Sequence, residues 1–155
     1  MVSVIEAENT PEVCGLLIAL SEQWEQEGSC RGYRRNTEED LSGRRIFLAY
    51  DGDRPVGYLF GIMEKAARSS SVMPEDTPYF ELEELYVIPD RRSQGVGKQL
   101  FRFAEASLSG GTEWLMLSTA SKNWKAVLHF YIDELGMEFW DARLFKKIPP
   151  AAPCK

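Results

Sequence analysis

One stretch constrains this chain more than any other. Across residues 79–108 an alternating apolar run stops at a proline, and a helical stripe begins after two closely spaced glycines. Phe80, Leu82, Leu85 and Val87 are apolar, with Glu81, Glu83 and Glu84 between them. Aromatic and branched residues at that spacing mark a strand. The period slips between Leu82 and Leu85, where two carboxylates stand side by side, as a β-bulge would make it. Pro89 ends the strand because it has no N–H for the ladder. Leu100, Phe101, Ala104 and Leu108 then recur at helical spacing. Arg92-Ser93-Gln94-Gly95-Val96-Gly97 therefore lies on the turn between a strand and a helix N-terminus.

Such a turn suits an anion. The first amides of a helix have no intrahelical partner, and the helix dipole adds partial positive charge there. Glycines at 95 and 97 remove side chains that would hold a phosphate off the backbone. The spacing is neither that of a Walker loop nor the three-glycine dinucleotide fingerprint. Taken alone, the pattern also fits a strand-to-helix connection with no ligand.

The remaining elements follow from their punctuation. Residues 2–7 alternate as a first strand, and Thr10-Pro11 opens a helix with the stripe Val13, Leu16, Leu17, Leu20, Trp24, closed by Gly28. A basic loop over 28–36 precedes a short helix capped by Thr37. Residues 46–63 read as a hairpin turning at 51–55, and 66–78 as a polar loop. A buried strand is expected at 114–119 and a helix at 123–135 ended by Gly136. A last pair of strands is expected at 138–141 and 144–148. This order predicts one α/β layered domain over 1–148, with a tail over 149–155.

Composition excludes several functions. Net charge is −6, from 18 basic and 24 acidic residues, which disfavours nucleic acid as a partner. The acid excess is compatible with a cationic amine. No apolar run approaches a membrane span, and residues 1–20 carry no basic n-region, so the expectation is a cytoplasmic protein without a membrane partner. Cys14, Cys30 and Cys154 have no metal-ligand spacing, and His129 is the only histidine, so no metal site and no histidine-based triad is expected.

Two motifs carry a family resemblance. Arg92-x-x-Gly95-x-Gly97, preceded by Leu85-Tyr86-Val87-Ile88-Pro89, resembles the acetyl-CoA signature of the GNAT superfamily of N-acetyltransferases. Asn123-x-x-Ala126-x-x-x-Phe130-Tyr131-x-x-x-x-Gly136-x-x-Phe139 resembles the family's C-terminal motif, with Met137-Glu138 before Phe139 as a departure. The resemblance covers residues 46–148 well, and the first third only by position and helical character. It implies a GNAT fold: a mixed, mostly antiparallel sheet of about six to seven strands, splayed at the fourth, with about four helices on both faces. It also implies acetyl-CoA as cofactor. The diphosphate would lie on Arg92, Ser93, Gln94, Gly95, Val96, Gly97 and Lys98, the pantetheine arm and acetyl carbonyl along Leu85, Tyr86 and Val87, with Asn123 and Tyr131 close by.

The chemistry implied is acetyl transfer to an amine without a covalent enzyme intermediate. Tyr131 matches the family's general acid, although its spacing from Val127 equally suits a core aromatic. Glu83 and Glu84 are the first choice for carboxylates facing the acceptor, and Glu81 the third. A solvated charged edge, or a base acting through water, is the rival reading. Trp24, Tyr33 and Glu64 are candidates to line the acceptor cleft. The expected acceptor is a small primary amine such as a polyamine, aminoglycoside or amino-acid-like metabolite. A protein N-terminus or lysine is the alternative, as is an acyl-CoA sensor without turnover. Exposed strands near Phe139–Phe145 would allow a homodimer.

Overall fold

Thr10 caps the first helix with its hydroxyl, which accepts the Val13 amide at 3.3 Å, and Gly28 ends the helix in the left-handed region. The structure, a computed structural model, describes residues 1–153. Its elements are β1 (Val2–Ala7), α1 (Pro11–Glu27), α2 (Glu38–Leu41), β2 (Arg45–Asp51), β3 (Arg54–Lys65) and β4 (Pro78–Val87). After a 3₁₀ turn at Pro89–Arg91 come α3 (Val96–Leu108), β5 (Trp114–Met116) and α4 (Trp124–Leu128). The last of these runs on into a π-helical segment, His129–Glu134. Among the described residues no helix is long and apolar enough to cross a membrane.

The sheet has five strands in the order β1-β2-β3-β4-β5, antiparallel except for β5, which runs parallel to β4. The slip expected in β4 is present: Gly61 pairs with Leu82 and Phe60 with Glu84, so Glu83 is the extra residue of a bulge. Alternation then divides the two faces of the strand. Leu85 and Val87 share a face with Gly57 and Leu59, against which α3 packs. Glu84 and Tyr86 share the other face with Tyr58 and Phe60, where Trp24 of α1 stacks on Tyr86. The apolar stripe of α3 is buried as expected, through Val96, Leu100, Phe101, Ala104 and Leu108.

Pairing of β5 with β4 is confined to Tyr79–Glu81 against Trp114–Met116. Beyond Glu81 the two strands part, and residues 82–87 of β4 have β3 on one edge and a gap on the other. That gap is the splay, and it lies beside the turn at 92–97.

The sheet falls short of the six to seven strands expected. Residues 138–141 and 144–148 form no strands, and β5 covers three residues rather than 114–119. A short apolar cluster supplies no pairing partner, and these residues pair with no strand edge. Phe139, Leu144, Phe145 and Ile148 are exposed, and Phe145 lies under the Arg31 guanidinium, 4.9 Å from its carbon. Cys154 lies outside the described residues.

Candidate active site

The turn is left open along its backbone. Among the described residues, the amides of Ser93, Gln94, Gly95, Val96, Gly97 and Lys98 donate to no protein acceptor; the first helical bond is Gln99 N–H to Gly95 O at 2.9 Å. Ser93 (φ 58°) and Gly95 (φ 82°) are both left-handed, a sequence of conformations that turns successive N–H groups toward one concavity. The two glycines serve different ends. A Cβ on Gly95 would meet nothing within 4 Å, so its requirement is conformational. A Cβ on Gly97 would lie 3.3 Å from the Phe130 ring and 3.5 Å from Leu85, so its requirement is close packing. Lys98 is exposed and makes no ion pair among the described residues, so its ammonium is uncommitted. Free amides, a helix N-terminus and an unpaired lysine fit a diphosphate.

The side chain of Arg92 turns elsewhere. Its Nη2 donates to both oxygens of Glu27 at 2.8 Å, and its Nε to Val87 O at 2.8 Å. Gln94 is likewise turned inward, to Asp90 O at 2.9 Å. The free edge of β4 continues the open backbone. Ile88 N–H bonds to Val56 O in the ladder, so alternation points the N–H groups of Leu85 and Val87 into the splay. Tyr86, between them, points its buried ring to the opposite face.

On the face of β4 opposite the Leu85 and Val87 side chains stands Glu84. Its Oε2 accepts three hydrogen bonds, from Tyr58 Oη at 2.7 Å, Asn36 Nδ2 at 2.9 Å and Tyr33 Oη at 3.1 Å. Its Oε1 accepts none, yet no buried side-chain oxygen among the described residues lacks a partner, so Oε1 is accessible. Burial raises this carboxyl above the usual range, against the opposing pull of its three donors. Glu83 is committed to Arg44 through paired bonds of 2.9 Å. Glu81 is half-buried and without a hydrogen bond; burial raises its pKa first, then Glu83 and Glu64. Glu64 is exposed at the end of β3, on the same face.

Aromatic rings wall this side. Trp24 lies 4.3 Å from the Tyr33 ring and 5.3 Å from Tyr86, and its Nε1 donates to Ser29 Oγ at 3.1 Å. The 28–36 loop is fixed at its start: Arg31 N–H bonds to Ala120 O, Lys122 N–H to Ser29 O, and Lys122 Nζ to Gly28 O. These bonds join it to the loop after β5.

Tyr131 comes from the π-helical segment, where Leu135 N–H reaches back to Phe130 O. Its ring packs against Phe101 and Phe130, and its hydroxyl has no protein partner while keeping some exposure. Burial, and secondarily Cys30, holds the phenol protonated well above its ordinary range. Asn123 is exposed at the cap of α4, its side chain unbonded. Burial pushes the Cys30 thiol up, with Glu84 and Glu27 adding to the shift, the reverse of what a nucleophilic thiolate needs.

The structure thus brings together Trp24, Tyr33, Glu84, Tyr86 and Tyr131 around the splay, and places Glu64, Glu81 and Glu83 along the outer part of one wall. Sequence reasoning missed Tyr58, Asn36 and Glu27. Tyr58 falls on the polar-facing side only once the bulge register is known, and Asn36 carried no signal beyond preceding the Thr37 cap.

A model of the acetyltransferase (GNAT) family matches residues 10–137. No curated protein matches the chain. Solved structures do. An aminoglycoside acetyltransferase from an uncultured soil metagenomic sample, in complex with sisomicin, is 16% identical, with 96% of this chain and 97% of that one covered at a TM-score of 0.67. A putative acetyltransferase from Agrobacterium tumefaciens str. C58 is 18% identical over 94% and 99% of the two chains, with a TM-score of 0.65. A transcriptional regulator from Bacillus halodurans C-125 is 17% identical over 96% and 100%, with a TM-score of 0.69. At these identities the likeness is one of fold.

Proposed function

The chain belongs to the acetyltransferase (GNAT) family, a class of acyltransferases, and from that premise we propose that it moves an acetyl group from acetyl-CoA to the primary amine of a small molecule, by direct attack in a ternary complex. The observation that carries this reading is the run of unpartnered amides at Ser93–Lys98, continuous with the free edge of β4.

Bound acetyl-CoA supplies an activated acetyl thioester. The chain's residues do the rest. The amides of 93–98, with Lys98, hold the diphosphate. The N–H groups of Leu85 and Val87 face the splay, where they would polarise a thioester carbonyl held there. Glu84 is the base: Oε2 is held by three donors, and Oε1 is free to take a proton from the acceptor ammonium, directly or through one water. Tyr131 holds the proton that the departing sulfur requires, and its phenol stays protonated at neutral pH. Glu83 serves as Arg44's partner, and Glu81 and Glu64 add negative charge to the approach. No acyl-cysteine intermediate is needed, in keeping with a raised Cys30.

A small acceptor is favoured over a peptide because the strap between the 28–36 loop and residues 120–122 bounds the acceptor side of the splay. The test is thiol release from acetyl-CoA across polyamines, aminoglycosides including sisomicin, amino acids and peptides bearing free N-termini or lysines. Turnover with a small amine is expected. Turnover with peptides alone would move the reading to protein acetylation. A CoA-induced rise in melting temperature without turnover on any amine would leave a sensor.

A further inference from the structure

A second carboxylate near the splay, Glu27 at the C-terminal end of α1, is held from two directions. A carboxylate there is unfavourable on its own, since the helix dipole is negative at that end. Yet Glu27 accepts the Tyr86 hydroxyl at 2.7 Å and Arg92 Nη2 on both oxygens at 2.8 Å. Arg92 also lies over the Tyr86 ring, 5.5 Å from its centre, and ties itself to Val87 O. The contacts continue from Tyr86 to Trp24, from Trp24 to Tyr33, and from the Tyr33 hydroxyl to Glu84 Oε2. A chain of bonded and stacked groups thus runs from the turn at 92–97 to the Glu84 carboxylate.

We infer that Glu27 is a positioning residue that clasps the cofactor turn to the acceptor wall, and that Arg92 works inside this clasp rather than on the diphosphate. The inference rests on the cofactor reading above. Three physical points favour it. The guanidinium has already given its best-aligned donors to Glu27 and Val87 O, and moving it would leave a carboxylate facing a helix C-terminus. The diphosphate has a sufficient cradle without it, in the free amides of 93–98 and Lys98. And Tyr86, fixed at its hydroxyl by Glu27, is the residue whose neighbours on the strand, Leu85 and Val87, present their N–H groups to the splay. Cofactor binding that tightens the turn is therefore felt at Trp24.

A double-mutant cycle decides between the two roles of Arg92. CoA affinity is measured by calorimetry for the wild-type protein, Glu27→Gln, Arg92→Gln and the double variant, with the melting temperature of each unliganded protein alongside. If the clasp positions the turn, either single substitution weakens CoA by about fivefold and the double weakens it no further, because both remove one interaction. The second readout is Trp24 emission, isolated by difference from Trp24→Phe: CoA changes it in the wild-type protein, and the change is lost in Glu27→Gln. Two results overturn the inference while leaving the cofactor reading intact. One is CoA affinity lost by tenfold or more in Arg92→Gln but unchanged or improved in Glu27→Gln, which puts the guanidinium on the diphosphate. The other is melting temperatures that fall with CoA affinity and the Trp24 response both unaltered, which leaves a merely structural ion pair. A wild-type protein that binds no CoA overturns the cofactor reading and the clasp together.

Discussion

The two sides of the splay are made of different material. On the side proposed for the cofactor the open surface is backbone: amides of 93–98 left free by two left-handed residues, and N–H groups of Leu85 and Val87 left free by the parting of β4 and β5. On the side proposed for the acceptor it is side chain: Trp24 from α1, Tyr33 and Asn36 from the loop, Tyr58 from β3 and Glu84 from β4. A backbone site needs particular conformations at particular positions, so it survives broad change in side chains and leaves glycines as its trace. A side-chain site needs particular partners from distant segments, and each is replaceable without disturbing the fold.

The sharpest way to break that division is Glu84→Gln. The amide oxygen of glutamine keeps the three donors, while a base is replaced by an NH₂ group. We expect kcat/KM for the acceptor to fall by about 10²- to 10⁴-fold, with CoA affinity by calorimetry unaltered. The same variant has a stability signature. A carboxyl whose folded pKa is raised binds protons more readily in the native state than in the unfolded one, so stability falls as pH rises through that window. Glu84→Gln should therefore melt no lower than the wild-type protein at pH 7, and any advantage should vanish as the pH drops below the carboxylate range. A large loss of CoA affinity would show that the two sides are not separable in this way.

Tyr131 sits where the sides meet, and its removal comes next in size. Tyr131→Phe keeps the ring among Phe101 and Phe130, so melting temperature and CoA affinity should hold. Turnover should fall by about a hundredfold if the phenol supplies a proton to the leaving sulfur. Because burial raises this phenol, the loss should be equal across the neutral range, with no new limb in the pH profile.

How much of this was legible follows the same line. The bulge in β4 could be read because two adjacent carboxylates interrupt an alternation, and the register confirms it at Gly61 and Phe60. The caps at Thr10 and Thr37 and the turn at Gly95 were legible because local conformation dictates residue type there. The last two strands were misread because Phe139, Trp140, Leu144, Phe145 and Ile148 form short apolar clusters that look like strand material but have no edge to pair with, and they stay exposed. The hold on Glu84 was illegible for a different reason. Asn36 and Tyr33 meet it across 48 and 51 residues of chain, and no local pattern records such a meeting. Likewise Arg92 looked like an anion ligand by its place in the motif, and only the fold shows Glu27 beside it.

A test confined to the backbone side is Gly95→Ala. A methyl group there meets nothing, so any effect arises from forcing an L-residue to φ 82°. That costs about 1–2 kcal/mol, and relaxation of the turn would spread the free amides. CoA affinity should fall by about tenfold, and more than in Ser93→Ala or Gln94→Ala, where only side chains change. Equal losses in all three would mean that side chains, not amides, hold the ligand.

The smallest expected effect is also the finest probe of the acceptor side. Tyr33→Phe removes one of the three donors on Glu84 Oε2 and leaves Tyr58 and Asn36 in place. Each of those bonds favours the ionised carboxylate, while burial favours the protonated one. Losing a donor therefore moves the Glu84 pKa further up. A general base acts only when ionised, so the acid limb of the kcat/KM profile should shift to higher pH, while the plateau above it falls by less than about threefold, the worth of one modest hydrogen bond. The sign discriminates. If Glu84 were only a structural acceptor for the two phenols, the plateau would drop and the limb would stay where it was. If Tyr33 mainly shaped the cleft through its contact with Trp24, phenylalanine would keep that contact and neither would move.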